Sequence, residues 1–284
     1  MVNPQVRVEV NLASLIRDLA VKAGSFIRSK ADDPSYRQIM RRGSTDVSRR
    51  VDLEAEELII KGIENEGLRA AIITEERGVV KIGGGEPEYE FIIDPLDGSL
   101  NFVFNIPFYS VSIAAGRYRE KMRFRDLSDG VVYYVPKNAL YYGGTEGFQV
   151  RGDELGDLSS DIDRPVVSMY VEPDTNEKVL FGLREFYDRF GRFKIRSLGS
   201  ASLEAVMASL GRFLAFMDMR NRLRVFDIAG AYVISRAVNA YSYVLGGNEL
   251  GGELMSTEVR YSVVVSRRID VVDALLKLLT SSSP

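Results

Sequence analysis

The sequence predicts an α/β protein in two halves, an α+β half over residues 1–150 and an α/β half over residues 151–284. Two observations carry this. The first half reads as helices followed by a run of short apolar strands, the order of a largely antiparallel sheet. The second half alternates strand and helix, the order of a sheet covered on both faces.

The elements follow in order. Leu12, Leu15, Ile16, Leu19, Ala23, Phe26 and Ile27 recur at helical spacing, with Asn11 as N-cap. Ala31–Gly43 is polar and turn-rich and is expected to be a mobile loop, a lid if a site lies near. Glu54–Glu66 reads as a second helix. Strand signals come at Ala70–Ile73, Tyr89–Ile93, Tyr109–Ala114, Val131–Val135 and Ala139–Tyr142, the last two flanking the turn Pro136-Lys137-Asn138. Beyond a polar boundary at Arg151–Arg164, strands at 166–171, 193–196 and 213–217 precede helices at 177–190, 201–210 and 225–238. Strands at 242–245 and 262–265 and a helix at 271–279 complete the chain. The two halves are expected to share one interface with the site between them.

Composition narrows the chemistry. A chain of 284 residues with 45% hydrophobic content can bury a large core, in one large domain or two small ones. A net charge of −3 gives no electrostatic case for nucleic acid or an anionic membrane as partner. No apolar run approaches the roughly 20 residues that span a bilayer, and MVNPQVRVEVNLASL lacks the basic-then-apolar order of a secretory signal. A cytoplasmic protein is expected, and by base rate a homodimer. The absence of Cys and His removes thiolate nucleophiles, imidazole bases and sulfur- or imidazole-bound metals. Hydrolysis must then run on carboxylates, hydroxyls, Lys, Arg, Tyr or a hard cation held by oxygen.

The sharpest feature is Phe91-Ile92-Ile93-Asp94-Pro95-Leu96-Asp97-Gly98-Ser99. An apolar strand runs straight into two aspartates, Pro95 stops it, and Gly98 permits a tight turn. Two carboxylates beside a helix start able to take an anion need a cation, and Mg²⁺ prefers carboxylates plus phosphate oxygens. Glu75 and Glu76 follow another apolar strand, Asp46 and Asp52 flank the start of the second helix, and Asp227 opens an apolar helix. Each also has a plain structural use as a cap or helix-dipole partner, and spacing alone does not show that they converge. If Asp97 ligates metal, neutralising it is expected to abolish activity while relieving carboxylate repulsion, with no loss of fold.

Glu75-Glu76, Asp94-Pro-Leu-Asp97-Gly-Ser99 and Asp227-Ile-Ala-Gly230, in this order and spacing, resemble the three signatures of the inositol monophosphatase superfamily. Arg196-Ser-Leu-Gly-Ser200-Ala201, Asp218-Met-Arg220 and Arg224-Val-Phe-Asp227 look closest to its archaeal branch, which hydrolyses inositol monophosphate and fructose 1,6-bisphosphate. The resemblance implies a layered αβαβα fold and a sugar phosphate as small-molecule partner. It implies two or three Mg²⁺ per site, bound by Glu75, Asp94, the Leu96 carbonyl, Asp97 and Asp227. Asp97, Gly98 and Ser99 would hold the phosphate, and Asp52 with Ser99, or Glu75, would orient the attacking water. Arg196, Ala201 and Arg220 would contact the substrate. Ser99 where many members have Thr keeps the hydroxyl; Phe226 stands for a common Trp and Thr74 for a common Gly.

Three other readings compete. An aspartyl-phosphate phosphatase spaces its two aspartates one residue apart, whereas here two residues intervene. A nucleotide 3′-phosphatase of the same superfamily shares the motifs. A non-catalytic sugar-phosphate-binding regulator could keep the fold, and the intact acids argue against it.

Overall fold

A computed structural model describes residues 10–42, 47–152, 165–170, 172 and 177–280. The chain opens with α1 (Leu12–Ser29), whose N-cap Asn11 accepts from the Ser14 amide at 2.9 Å as its sequence predicts. A 3₁₀ turn (Pro34–Arg37), β1 (Ile39–Arg42), β2 (Val47–Arg49) and α2 (Arg50–Asn65) follow. Next come β3 (Ala70–Thr74), β4 (Gly78–Ile82), β5 (Tyr89–Asp97), α3 (Ser99–Val103), β6 (Ser110–Arg117), β7 (Asp129–Tyr134), β8 (Ala139–Gly144) and β9 (Gly147–Arg151). The second half contains β10 (Val166–Met169), α4 (Glu177–Phe190), β11 (Lys194–Arg196), α5 (Ala201–Ser209) and β12 (Ala215–Leu223). It closes with α6 (Val225–Ala237), β13 (Tyr241–Val244), β14 (Tyr261–Ser266) and α7 (Ile269–Thr280).

The first sheet runs β4-β3-β5-β6-β7-β8-β9, and only β3 and β5 pair in parallel. The second runs β11-β10-β12-β14-β13, with β10 parallel to both neighbours and β14 antiparallel to both of its own. Three apolar clusters fill the spaces between layers. Ile16, Leu19, Ile59 and Ile63 of α1 and α2 pack on Phe91 and Ile93. On the opposite face of the same strand, Ile92 packs with Val206 of α5 and Ile228 of α6, which also meet Phe216 and Val263 of the second sheet. Phe186 of α4 and Leu275 of α7 cover that sheet's far side with Val167 and Met217. The result is five layers, αβαβα, as expected.

The middle layer explains two glycines. A Cβ on Gly130 of β7 would lie 2.7 Å from the Gly230 carbonyl and 2.7 Å from Val233 Cβ. A Cβ on Gly230 would lie 2.5 Å from Ser112 Oγ and 3.0 Å from the Val131 carbonyl. Two glycines face to face let α6 sit directly on the sheet, and so fix where its first turn, with Asp227, arrives.

The structure departs from the sequence reading in three places. Ala31–Gly43 is not structureless as far as Arg42, the last of its residues described. Asp33 caps the 3₁₀ turn, buried Tyr36 meets Phe26 edge-on at 5.9 Å, and β1 pairs antiparallel with β2. A single aromatic anchor in a polar stretch leaves no periodic signal. β4 and β9 are also absent from the sequence reading, because edge strands with alternating or only partial burial carry little apolar pattern and take their geometry from neighbours. Asp46 and nearly all of the boundary at Arg151–Arg164 lie outside the described residues.

This packing bears on stability in two testable ways. Gly130→Ala forces α6 away from the sheet, because the clash is partly with backbone, and is expected to cost about 1–3 kcal/mol in urea unfolding. Glu90 is buried as the second residue of β5, and burial alone raises its carboxyl from 4.5 to about 7. A raised carboxyl contributes stability below its unfolded pKa and loses it as pH climbs through the folded one. Unfolding free energy should therefore fall between about pH 4.5 and pH 7, by up to about 3 kcal/mol. Glu90→Gln should flatten this slope, and a wild-type protein with no slope over that window refutes the assignment.

Candidate active site

The parallel pairing of β3 and β5 sets the site. Thr74 lies opposite Ile93, so Glu75 and Asp94 leave adjacent strand ends on the same side. Between Asp94 and Asp97 the β5–β6 register slips, Asp94 facing Ser112 and Asp97 facing Ser110, so that Pro95 and Leu96 form a bulge. The Leu96 amide donates to Asp94 Oδ1 at 3.1 Å within it. Asp227 enters as the third residue of α6, where its Oδ2 accepts from the Arg224 amide at 2.6 Å.

Asp94 is buried, and its carboxyl is pushed well above the usual range, first by burial and then by Glu75, Asp97 and Asp227. These four acids therefore share one electrostatic neighbourhood. Burial also raises Asp227 to about 6, against the pull of Arg224. Arg224 is the cation that faces them: it pairs with Glu75, lies 3.6 Å from Asp227 Oδ1 and stacks 4.6 Å over Phe226. The sequence places Arg224 inside a motif but gives it no role.

Asp97 behaves differently from the expected ligand. Its Oδ2 accepts from Ser200 Oγ at 2.8 Å, Ser202 N at 2.8 Å and Ser202 Oγ at 2.5 Å, and its Oδ1 accepts from Ala201 N at 3.1 Å. It caps α5. Burial raises its carboxyl, and the bonds from Ser202 and Ser200 hold it down. With Asp97 turned to α5 and Glu75 turned to Arg224, no group of three or more acidic side chains among the described residues is arranged to hold a metal ion. The convergence is one of charge, not of ligand geometry.

The Gly98–Ser99 turn is held tightly. Gly98 has φ +92°, and a Cβ there would lie 2.9 Å from the Gly199 carbonyl. Asn101 Nδ2 donates to the carbonyls of Phe108 and Leu198, each at 2.6 Å. Ser99 opens α3, a helix of five residues. Asp52 is buried in the first turn of α2, with Oδ2 accepting from the Arg49 amide at 2.9 Å, the plain capping use.

Two further acids escape sequence reasoning. Buried Glu56 accepts from Thr74 Oγ1 at 2.6 Å and the Glu76 amide at 3.0 Å, which fixes the corner carrying Glu75. Buried Glu204 accepts from Ser168 Oγ, from Tyr170 Oη at 2.6 Å, and from the amides of Leu198, Gly199 and Ser200 at 3.0, 3.1 and 3.2 Å. It ties down the turn that Gly98 abuts. Their partners lie in other elements, so only a three-dimensional arrangement could reveal them.

Arg196 and Arg220 lie toward the carboxyl ends of strands in the second sheet. Arg196 pairs with Ser168, is exposed, and donates to its neighbour's carbonyl at 2.8 Å. Arg220 is not a bare cation. Asp218 holds it from Oδ1 and Oδ2 at 2.6–3.2 Å, Glu172 takes its Nη1, and its guanidinium lies 4.4 Å over the Tyr170 ring.

Residues 10–271 match the inositol monophosphatase family, which is nearly the whole chain. The chain belongs to that family. As a member it is a phosphatase. Among its relatives, it is 29% identical over 238 residues to the fructose-1,6-bisphosphatase/inositol-1-monophosphatase of Methanothermobacter thermautotrophicus, covering 81% of this chain and 82% of that protein. It is 29% identical over 234 residues to the bifunctional NADP phosphatase/NAD kinase of Methanococcus maripaludis, covering 78% of this chain and 41% of that protein. The solved MJ0109 gene product, an inositol monophosphatase-fructose 1,6-bisphosphatase, superposes with a TM-score of 0.76 at 22% identity over 95% of this chain and 100% of that one. That likeness establishes the fold.

The two aspartates of this family motif should respond oppositely to neutralisation. Asp97→Asn gives up charge-assisted bonds to α5 and should destabilise the metal-free protein by about 1–3 kcal/mol, contrary to the expectation from sequence. Asp94→Asn removes a buried charge from beside three others and should leave it as stable or more so. Thermal unfolding in EDTA reads both, and a stabilised Asp97→Asn variant refutes the capping role.

Proposed function

We propose that the chain is a Mg²⁺-dependent phosphomonoesterase acting on inositol monophosphate, fructose 1,6-bisphosphate or both. The observation that carries it is the charge convergence around Asp94: Glu75, Asp97 and Asp227 meet one buried carboxylate, with Arg224 opposing them. The donor set fits a hard cation in its chemistry, being carboxylates and a backbone carbonyl with no sulfur or imidazole. Glu75, Asp94, the Leu96 carbonyl and Asp227 would hold two or three such ions. Asp97 joins them only by giving up its bonds to α5. When bound, Mg²⁺ supplies a water of lowered pKa for in-line attack and stabilises charge on the leaving oxygen.

The chain's own residues do the positioning. The Gly98–Ser99 turn, held by Asn101 and the Gly199 contact, presents backbone amides to the phosphate. The Ser99 hydroxyl with Asp52, or Glu75, orients the attacking water and takes its proton. Asp227, set by α6, fixes the side from which the leaving group departs. Arg196 at the end of β11 and Ala201 at the start of α5 would contact the substrate, since ligands of α/β sheets gather at strand ends. A second reading, nucleotide phosphatase, is favoured by the likeness to the NADP phosphatase/NAD kinase, and acts through the same acids.

Phosphate release from inositol 1-phosphate, fructose 1,6-bisphosphate, adenosine 3′,5′-bisphosphate and NADP tests both readings. Release from the sugar phosphates is expected with Mg²⁺ and is lost in EDTA. Asp94→Asn should lower kcat/KM by about 10²-fold or more, equivalent to losing one preorganised electrostatic group. Release confined to the nucleotides selects the second reading, and release unaffected by EDTA refutes the metal's role.

A further inference from the structure

Each aspartate of the Asp94–Asp97 motif faces a serine across the β5–β6 pair, Asp94 facing Ser112 and Asp97 facing Ser110. The two serines fare differently. Ser110 Oγ lies 3.0 Å from Ser202 Oγ, 3.1 Å from Ser200 Oγ and 3.5 Å from Asp97 Oδ2, within the polar cluster that opens α5. Ser112 is 1% exposed, and its hydroxyl has no hydrogen-bond partner among the described residues.

A buried hydroxyl left without a partner costs about 1–3 kcal/mol. Alanine would avoid that cost on a face that is otherwise apolar here: Ile92, Ala114 and Val132 beside it pack with Val206 of α5 and Ile228 of α6. The position is also closed from above. Gly230 of α6 lies over Ser112, where a Cβ would come 2.5 Å from the hydroxyl oxygen. Gly230 follows Asp227 by three residues, so Ser112 lies one helical turn behind Asp227 and directly beside Asp94.

Of the side chains paired with Ser112 on its two neighbouring strands, Val132 offers no acceptor and Asp94 offers two oxygens. Residues directly opposite in an antiparallel pair have Cβ atoms about 4.5–5.5 Å apart, a gap that a serine oxygen and a carboxylate oxygen together close. Ser110 and Asp97, the next pair along the same strands, already approach in this way. For Ser112, a staggered step about χ1 is the motion that re-aims the hydroxyl. Asp94 can receive it: its Oδ1 accepts from the Leu96 amide at 3.1 Å, and a carboxylate has about four acceptor positions.

We propose that Ser112 is a positioning residue for Asp94: when Asp94 holds a cation, the Ser112 hydroxyl turns to donate to its carboxylate and, with the Leu96 amide, fixes how that carboxylate meets the ion. The proposal rests on the reading of these acids as a cation site. Carboxylates that bind metal are themselves held by hydrogen bonds from behind, and removing such a partner lowers metal affinity about 10–100-fold. A hydrogen bond to a metal-held carboxylate is charge-assisted and outweighs a neutral one. The hydroxyl therefore destabilises the metal-free chain and stabilises the loaded one.

The two states separate this role from a merely structural one, and both are read without turnover. Ser112→Ala is compared with the wild-type chain by thermal unfolding in EDTA and by calorimetric titration with Mg²⁺ in the absence of substrate. In EDTA the variant should unfold at the same temperature as the wild type or at a higher one, because an unpartnered hydroxyl has been removed. In the titration its Kd for Mg²⁺ should rise about tenfold. A lower Tm in EDTA shows that the hydroxyl already bonds within the metal-free fold and overturns the proposal. So does an unchanged Kd: if the wild-type chain binds Mg²⁺ and Ser112→Ala binds it equally well, the cation reading stands and only the role of Ser112 fails. If the wild-type chain takes up no Mg²⁺, the cation reading itself fails, and the proposal falls with it.

Discussion

Burying several carboxylates at one point is the constraint around which the rest of this molecule is arranged. Asp94 lies out of water beside Glu75, Asp97 and Asp227, and each raises the free energy of ionising it. Such a cluster relaxes apart unless the backbone forbids it. Here the backbone does forbid it. β3 and β5 are hydrogen-bonded neighbours in parallel, so their ends cannot separate, and α6 is pressed onto the sheet through Gly130 and Gly230. The repulsion is met by what surrounds it: Arg224 pairs with Glu75 and approaches Asp227, and Asp97 turns to the amides and hydroxyls that open α5.

The same arrangement accounts for the division of labour between the halves. The first sheet supplies the acidic end, while the layer of α5 and α6 packs against both sheets at once. Asp97 caps a helix that also packs on the second sheet, and Glu204 from that helix fastens the turn beside Gly98. Glu56 does for the Glu75 corner what Glu204 does for the turn at 198–200. Both are buried acids whose charge is absorbed by several donors, and both keep a loop in place from behind.

Much of this fold is legible in the sequence. The helical period from Leu12 to Ile27, the Asn11 cap, the strand running into Asp94 and the alternation after residue 165 all report on local geometry, and each is present. What escapes is of a different kind. β4 and β9 are edge strands with little buried apolar pattern, and the stretch before Arg42 is ordered by the Asp33 cap, the Tyr36 anchor and pairing with β2. Arg224, Glu56 and Glu204 matter because of partners in other elements of the chain, and nothing in their neighbours announces it.

The sequence by itself determined the chemistry available and the elements that could carry it. Lacking Cys and His, and placing acids at the ends of apolar strands and helices, it confined hydrolysis to carboxylates, hydroxyls and an oxygen-bound cation. Only the tertiary structure decided which acids meet. Asp97 is two residues past Pro95 in the sharpest motif of the chain, yet its oxygens point to α5, more than a hundred residues on. Glu75, nineteen residues before Asp94, is its electrostatic neighbour. The reason is physical. Periodicity and capping act over a few residues, where the backbone fixes geometry, whereas the environment of a charge depends on every element folded against it.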